Sequence, residues 1–175
     1  RLYVASTGAS ALASIAIPPL RFAGDEVDGQ DVVAGLAGAR GVAVSPDGRH
    51  VIASGASDDA VSVFAREGSA GLLSFLEEKR DGIAGADGLD SVEGVAVSPD
   101  GRSVYAAGVV DDAIAAFTRD PASGALGFVE VERDAVNGVN GLNGASGVAV
   151  SPDGKHVYAT GYVDDPQLPG AKRVV

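Results

Sequence analysis

Gly41-Val42-Ala43-Val44-Ser45-Pro46-Asp47-Gly48 recurs unchanged at Gly94–Gly101 and at Gly147–Gly154, so each copy begins 53 residues after the one before. The first half alternates small residues with Val, the period-2 pattern of a short strand. The second half is a turn. Pro presets φ for the first central position of a type I turn, Asp suits the second, and Gly relieves the exit. A strand-and-turn unit repeated at a period near 50 residues points to stacked structural repeats.

The interval Gly94–Ser146 contains four short apolar runs: Val95–Val97, Val104–Ala107, Ala113–Phe117 and Leu126–Glu132. Gly, Pro and Asp bound them, and none reaches helical length before a breaker intervenes. They are expected as strands A to D of one sheet. The fold class is therefore all-β, a β-propeller segment of four-stranded antiparallel blades with a 53-residue repeat. Residues 41–93 and 94–146 are complete blades. Residues 1–40 form a partial blade with strands B to D, because Leu20, Phe22, Asp28, Gly29 and Leu36 align with Leu73, Phe75, Asp81, Gly82 and Leu89. Its C–D loop is shortened, with Ala16-Ile17-Pro18-Pro19 standing in place of Ala65–Leu72. Residues 147–175 form a second partial blade with a divergent C-terminus. It follows the repeat through Asp165. Pro166, Pro169 and Gly170 then break strand C, which can resume at Ala171–Val175 after an insertion.

Strands running alternately up and down put the A–B and C–D turns on one rim. The B–C turns and the long D–A links occupy the other. That second rim collects the candidate ligand-binding pairs Asp58-Asp59, Asp111-Asp112 and Asp164-Asp165. It also collects the candidate metal ligands Asp87, Asp90, Asn140 and Asn143. Calcium is the metal considered, because it takes carboxylate, amide and carbonyl oxygens. The competing reading is structural: Asp at a hairpin caps the turn through the backbone, and Asn replaces Asp without loss of turn geometry. Repetition in successive blades favours the structural reading. The cluster Asp25, Glu26, Asp28 and Asp31 is dense in carboxylates but has no EF-hand spacing. His50 and His156 sit beside the Ser-Pro-Asp-Gly turns, with Ser103 between them in the repeat. A Ser–His–Asp set with Ser45 and Asp47 is conceivable there, but the same Ser and Asp build the turn in every copy. Arg66, Arg80, Arg119 and Arg133 are expected at strand ends as solvated charge.

Composition narrows the partners. The net charge of −11 argues against nucleic acid, which needs Lys and Arg gathered on one face, and against an anionic membrane surface. With no cysteine, there is no disulfide, thiolate metal site or cysteine nucleophile. No apolar run approaches the roughly 18 residues that would span a bilayer. The sequence opens at Arg1 without a signal peptide, so any export signal is expected outside it.

The run Gly147–Gly161, with Asp111–Phe117 and Gly124–Val131, resembles the lactonase-like, YVTN-related β-propeller repeat. The resemblance implies seven four-stranded blades around a central channel. It also implies a family in which some members hydrolyse lactones and many are secreted or envelope proteins. No catalytic motif of that family falls on positions of this chain. The expected function is a non-catalytic scaffold or binding module, extracellular or in the cell envelope, with a protein or small polar ligand as partner. The alternatives are a lactone hydrolase and a building block of a larger multi-chain assembly. Further blades, from the same or another chain, are expected to pack on both ends.

Overall fold

The computed structural model describes residues 2–16, 21–68, 71–162 and 172–174. Among these there is no helix, and fourteen strands form four antiparallel sheets. The first sheet has three strands, β1 (Leu2–Ser6), β2 (Ala11–Ala16) and β3 (Arg21–Val27). The second has four, β4 (Ala39–Val44), β5 (His50–Gly55), β6 (Ala60–Glu67) and β7 (Leu72–Arg80). The third repeats it with β8 (Val92–Val97), β9 (Ser103–Gly108), β10 (Ala113–Arg119) and β11 (Leu126–Arg133). The last contains β12 (Gly147–Val150), β13 (Val157–Tyr162) and β14 (Lys172–Val174). Every sheet is a meander in sequence order, the blade of a β-propeller.

The Ser-Pro-Asp-Gly turn keeps one geometry in all three copies. The N–H of Gly48, Gly101 and Gly154 donates to the carbonyl of Ser45, Ser98 and Ser151 at 2.8, 2.8 and 2.9 Å. Those glycines have φ of 69°, 72° and 70°, in the left-handed region where a side chain is strained. Each serine hydroxyl donates to the aspartate of its own turn, at 2.5, 2.5 and 2.6 Å.

Alternation along the middle strands splits the core between neighbours. Val51, Ala53 and Phe64 of the second blade pack on Tyr3, Leu12, Val33 and Leu36 of the first. Ile52, Val61 and Val63, on the other face, pack against Val104, Ala106, Ala115, Phe117 and Leu126 of the third. Leaving such a Val or Phe in water costs about 1.5–3 kcal/mol, so a blade depends on both neighbours. A bulge recurs in each C–D ladder, after Ser14, Val63 and Ala116. It delivers Phe64 and Phe117 opposite Phe75 and Phe128, with edge-to-face centroids 5.7 and 5.6 Å apart. Strands β4, β8 and β12 lie side by side, innermost in the stack. Their glycines allow the approach: a Cβ on Gly41 would stand 2.3 Å from the Glu93 carbonyl oxygen.

The last blade resumes strand C late. Gly161 pairs with Arg173, whereas the equivalent Gly108 pairs with Ala113. The separations are 12 and 5 residues, so seven residues have been inserted. Asp164 and Asp165 lie outside the described residues.

Candidate functional site

The rim carrying the B–C turns and the D–A links holds the candidate residues. Asp58 and Asp111 accept the N–H of Ala37 and Asp90, at 2.9 and 3.0 Å, from the link that enters their own blade. Asp59 and Asp112 accept the N–H of Ser91 and Gly144, at 2.8 and 2.7 Å, from the link that leaves it. Ser10 plays the part of Asp59 in the first blade and takes the Gly38 N–H at 3.3 Å. Ser10, Asp59 and Asp112 have φ of 49°, 53° and 52°, a conformation that short polar side chains tolerate. Each pair thus ties one turn to the links on both sides of a blade.

A third aspartate, recurring at the same period, closes the links themselves. Asp28 accepts the Leu36 N–H and Asp81 the Leu89 N–H, both at 3.0 Å. Asp134 accepts from Gly141 and Leu142 at 2.6 and 2.8 Å. The capped leucines are buried, so each link is pinned into the core by its tip. The spacing of Asp28, Asp81 and Asp134 was visible in the sequence as a signal for this role. The end of strand B must come close beneath the link, and glycine is required there. A Cβ on Gly55, Gly108 or Gly161 would lie 2.3, 2.3 or 2.4 Å from the carbonyl oxygen of Gly35, Gly88 or Gly141.

Of the four proposed metal ligands, Asp87 and Asp90 lie in the link between the second and third blades, and Asn140 and Asn143 in the next link. Asp87 is held in a fork by Arg133, with Nη2 to Oδ1 at 2.6 Å and Nη1 to Oδ2 at 3.1 Å. Those bonds outweigh the upward push of partial burial and hold the Asp87 carboxyl below its ordinary range. Asp90 joins the knitting of the rim through its main chain, and its carbonyl accepts the Val110 N–H at 3.2 Å. Partial burial, then the charges of Asp59, Asp111 and Asp81, push the Asp90 carboxyl up. Asn140 lines a cavity between the third and fourth blades. The Asn143 carbonyl accepts the Tyr162 N–H at 2.5 Å. Asp81, Asp87 and Asp111 do bring one oxygen each within 4.8 Å of one another, with the Arg133 guanidinium beside them.

The arginines depart from the expectation of solvated charge. Arg80 donates to the Asp58 carbonyl at 2.7 Å and pairs with Asp58 and Glu78, both at 3.1 Å. Arg119 is buried, its side chain 0% exposed, and it crosses from the third blade to the turn of the second. It donates to the Gly101 carbonyl at 2.6 Å, the Asp47 carboxylate at 2.9 Å and His50 Nδ1 at 2.5 Å. The physical reason is position. Arg119 ends strand C where two blades meet, and a buried guanidinium persists only when paired and hydrogen-bonded. A guanidinium can only donate, so Nδ1 is the acceptor and a neutral His50 carries its proton on Nε2.

This network also disposes of a Ser–His–Asp set. The Ser45 hydroxyl donates to Asp47, and the ring of His50 faces Arg119 instead. Burial, then the Arg119 charge, pushes the imidazole below its usual range. For Asp47, partial burial acts upward but is overcome by bonds from Ser45, Arg119 and the Arg49 N–H, so the carboxyl sits well below the carboxylate range. His156, the counterpart of His50, is exposed and stacks on Tyr158 at 6.3 Å.

The cavity between the third and fourth blades, about 420 Å³, is lined by Tyr105, Ile114, Ala116, Leu142, Val157 and Ala159 with Glu130, Glu132 and Asn140. Their counterparts 53 residues earlier include Ile52, Val61, Val63, Leu89, Val104 and Ala106, all in the sealed core that Phe117 and Leu126 complete.

Comparison with known proteins supports the fold. No family model and no curated protein sequence matches this chain. Among solved structures, it is similar to the periplasmic gluconolactonase of Pseudomonas aeruginosa, with 24% identity, a TM-score of 0.60, and 99% of this chain covering 53% of that one. It is similar to the Cps50 (Swd1) β-propeller domain of Myceliophteria thermophila, with 13% identity, a TM-score of 0.60, and 87% covering 44%. It is also similar to the hydrazine synthase of Kuenenia stuttgartiensis, with 21% identity, a TM-score of 0.69, and 93% covering 39%. The chain therefore spans 39% to 53% of the length of these three structures. Likenesses at these identities establish the β-propeller fold, with lactonase-like propellers among its neighbours, and leave activity to be argued from the site.

Proposed function

We propose that this chain is a non-catalytic part of a β-propeller, a scaffold or interaction module with a protein partner, acting outside the cell or in its envelope. One observation carries the reading. All four described carboxylates of the repeated pairs, Asp58, Asp59, Asp111 and Asp112, are engaged by main-chain N–H groups of the links. A hydrogen bond to a charged acceptor contributes about 1.5–3 kcal/mol, so these groups serve the blade joints and are not free for chemistry. The most elaborate charged group, Arg119 with Asp47 and His50, is closed from solvent at its centre. An envelope setting accords with the periplasmic location of one neighbour.

The test is a turnover assay of the 175-residue chain on five- and six-membered lactones, with and without divalent metal. No hydrolysis above the buffer rate is expected. Turnover abolished by one acidic substitution that leaves the fold intact would establish the lactone hydrolase instead.

A further inference from the structure

The chain has three asparagines, Asn137, Asn140 and Asn143, and each is followed by glycine. All three lie in the link between β11 and β12. An Asn-Gly step is open to intramolecular deamidation, because glycine has no side chain to hinder attack by its own main-chain nitrogen on the asparagine amide. That attack needs a free N–H, and the fold withholds it at two of the three steps. The Gly141 N–H donates to Asp134 at 2.6 Å and the Gly144 N–H to Asp112 at 2.7 Å, and both glycines are buried. Asn140 is exposed, as Asn137 is, so exposure of the amide does not separate them. Gly138 is different. It is exposed, its N–H has no hydrogen-bond partner among the described residues, and a Cβ built on it would meet nothing within 4 Å. Asn137 and Gly138 have φ of 51° and 86° and form the centre of a tight turn that the Val139 N–H closes on the Val136 carbonyl at 2.9 Å. In the first link Asp31 stands at the place of Asn137, with the same φ of 51°, and the Val33 N–H closes its turn on Gln30 at 3.0 Å. An aspartate at this tip is already part of the fold.

We propose that Asn137 is a site of spontaneous covalent modification, and that Asp134 and Asp112 protect Asn140 and Asn143 from the same reaction by holding the N–H groups it needs. The Gly138 nitrogen gives up its proton and forms a bond to Cγ of Asn137. The Cγ–Nδ2 bond breaks, and the amide nitrogen leaves as ammonia with that proton. The product is a succinimide ring. Water opens it at Cγ to give aspartate, or at the main-chain carbonyl to give isoaspartate, so one water is consumed and one ammonia released. Aspartate adds a negative charge to the link rim in a turn that accommodates it, as Asp31 does. Isoaspartate carries the side-chain methylene into the main chain and lengthens the turn. At the other two steps a hydrogen bond to a charged acceptor must break first, which slows attack by about tenfold to a hundredfold. The proposal holds whether the ring is a scaffold or a hydrolase, so it stands or falls apart from the function proposed above.

The test incubates the full 175-residue chain at pH 8, folded and in guanidinium chloride, and follows the tryptic peptide 134–155, which holds all three asparagines. Conversion raises the peptide mass by about 1 Da, and fragmentation assigns the gain to one position and separates aspartate from isoaspartate. In the folded chain, conversion at Asn137 should outrun that at Asn140 and Asn143 by about tenfold or more. In denaturant the three should convert at similar rates, because Val136, Val139 and Leu142 precede them and local sequence barely differs. In Asp112→Gly, which suits the φ of 52° at that position, Asn143 should join Asn137 while Asn140 stays protected. The comparison of folded with denatured chain needs no variant, so the test survives if that one folds poorly. A folded chain in which Asn137 converts no faster than the other two would overturn the proposal. The same preference for Asn137 in denaturant would place the selectivity in local sequence and overturn the part of the fold. An unchanged Asn143 in folded Asp112→Gly would overturn the protection by Asp112.

Discussion

The joint between the second and third blades and the joint between the third and fourth begin from nearly the same residues and end differently. At the first, Ile52, Val61, Val63 and Leu89 are sealed by Phe117 and Leu126, and Arg119 closes the rim above them. At the second, Tyr105, Ile114, Ala116 and Leu142 line an open cavity. The difference lies in what the following blade brings. Phe117, Leu126 and Arg119 all come from strands C and D, and among the described residues the fourth blade has only the short β14 beyond β13. A blade in this chain is completed by the outer strands of its successor. Its own four strands set the ladder but leave one face open.

The strongest way to break this comparison is to make the closed joint resemble the open one. Phe117→Ala should cost about 3–5 kcal/mol in urea unfolding, the usual loss for an aromatic in a packed core. Tyr158→Ala, at an exposed ring in the fourth blade, should stay within about 0.5 kcal/mol. Equal losses would show that closure of the joint does not govern stability. Arg119→Ala should cost less, about 1–3 kcal/mol, because the Gly101 carbonyl and His50 lose a buried donor while Asp47, 32% exposed, keeps its bonds from Ser45 and Arg49. Arg66→Ala should cost only about 1 kcal/mol, one hydrogen bond to Gly48.

The opposite rim sharpens the contrast, since Asp59 and Asp112 make the same bond at the closed joint and at the open one. Asp59→Ala should cost about 1–3 kcal/mol, from the orphaned Ser91 N–H and the strain of alanine at positive φ. Asp59→Gly removes the carboxylate but not the conformational freedom, and should cost less. Unfolding of both variants in urea measures the difference.

Acid should weaken the closed joint in two steps. His50 is pushed below its unfolded value near 6.5, so its contribution is complete above that pH and is lost as pH falls toward the folded pKa. Asp47 is likewise depressed, and its contribution is lost as pH falls below about 4. Glu26 and Asp90, both raised, act in the opposite sense near pH 4–5 and offset part of the loss. The measurement is therefore a difference. The melting temperature should drop between pH 7 and pH 5 by a few degrees more in the unaltered chain than in His50→Gln. The smallest expected effect is that of calcium. Millimolar calcium should leave the melting temperature unchanged, because Arg133 already holds Asp87 beside Asp111. A clear rise would show the metal displacing that guanidinium.

Much of this was legible in the chain. An unchanged octapeptide at 53-residue intervals announces the sheet and its turn, because strand period and turn chemistry are local properties. The same repetition marked the Asp pairs as structural, and Asp58, Asp59, Asp111 and Asp112 accept main-chain bonds from the links. It would have marked Asp28, Asp81 and Asp134 as well, had the period been followed through every acidic residue. The late return of strand C after Pro166, Pro169 and Gly170 was readable from its breakers, and the pairing of Gly161 with Arg173 adds the size of the insertion. The fate of the arginines was not readable. Arg66 and Arg119 stand at one repeat position, each before an acidic residue, yet one is buried against a carboxylate and the other is not. That difference is set by the turn of the neighbouring blade, a contact across 72 residues that no local pattern encodes. Sequence determined what each blade is, through periodicity and turn chemistry. Only the packing of blade on blade decided which charges are enclosed and which faces stay open, because burial belongs to the pair of surfaces that meet.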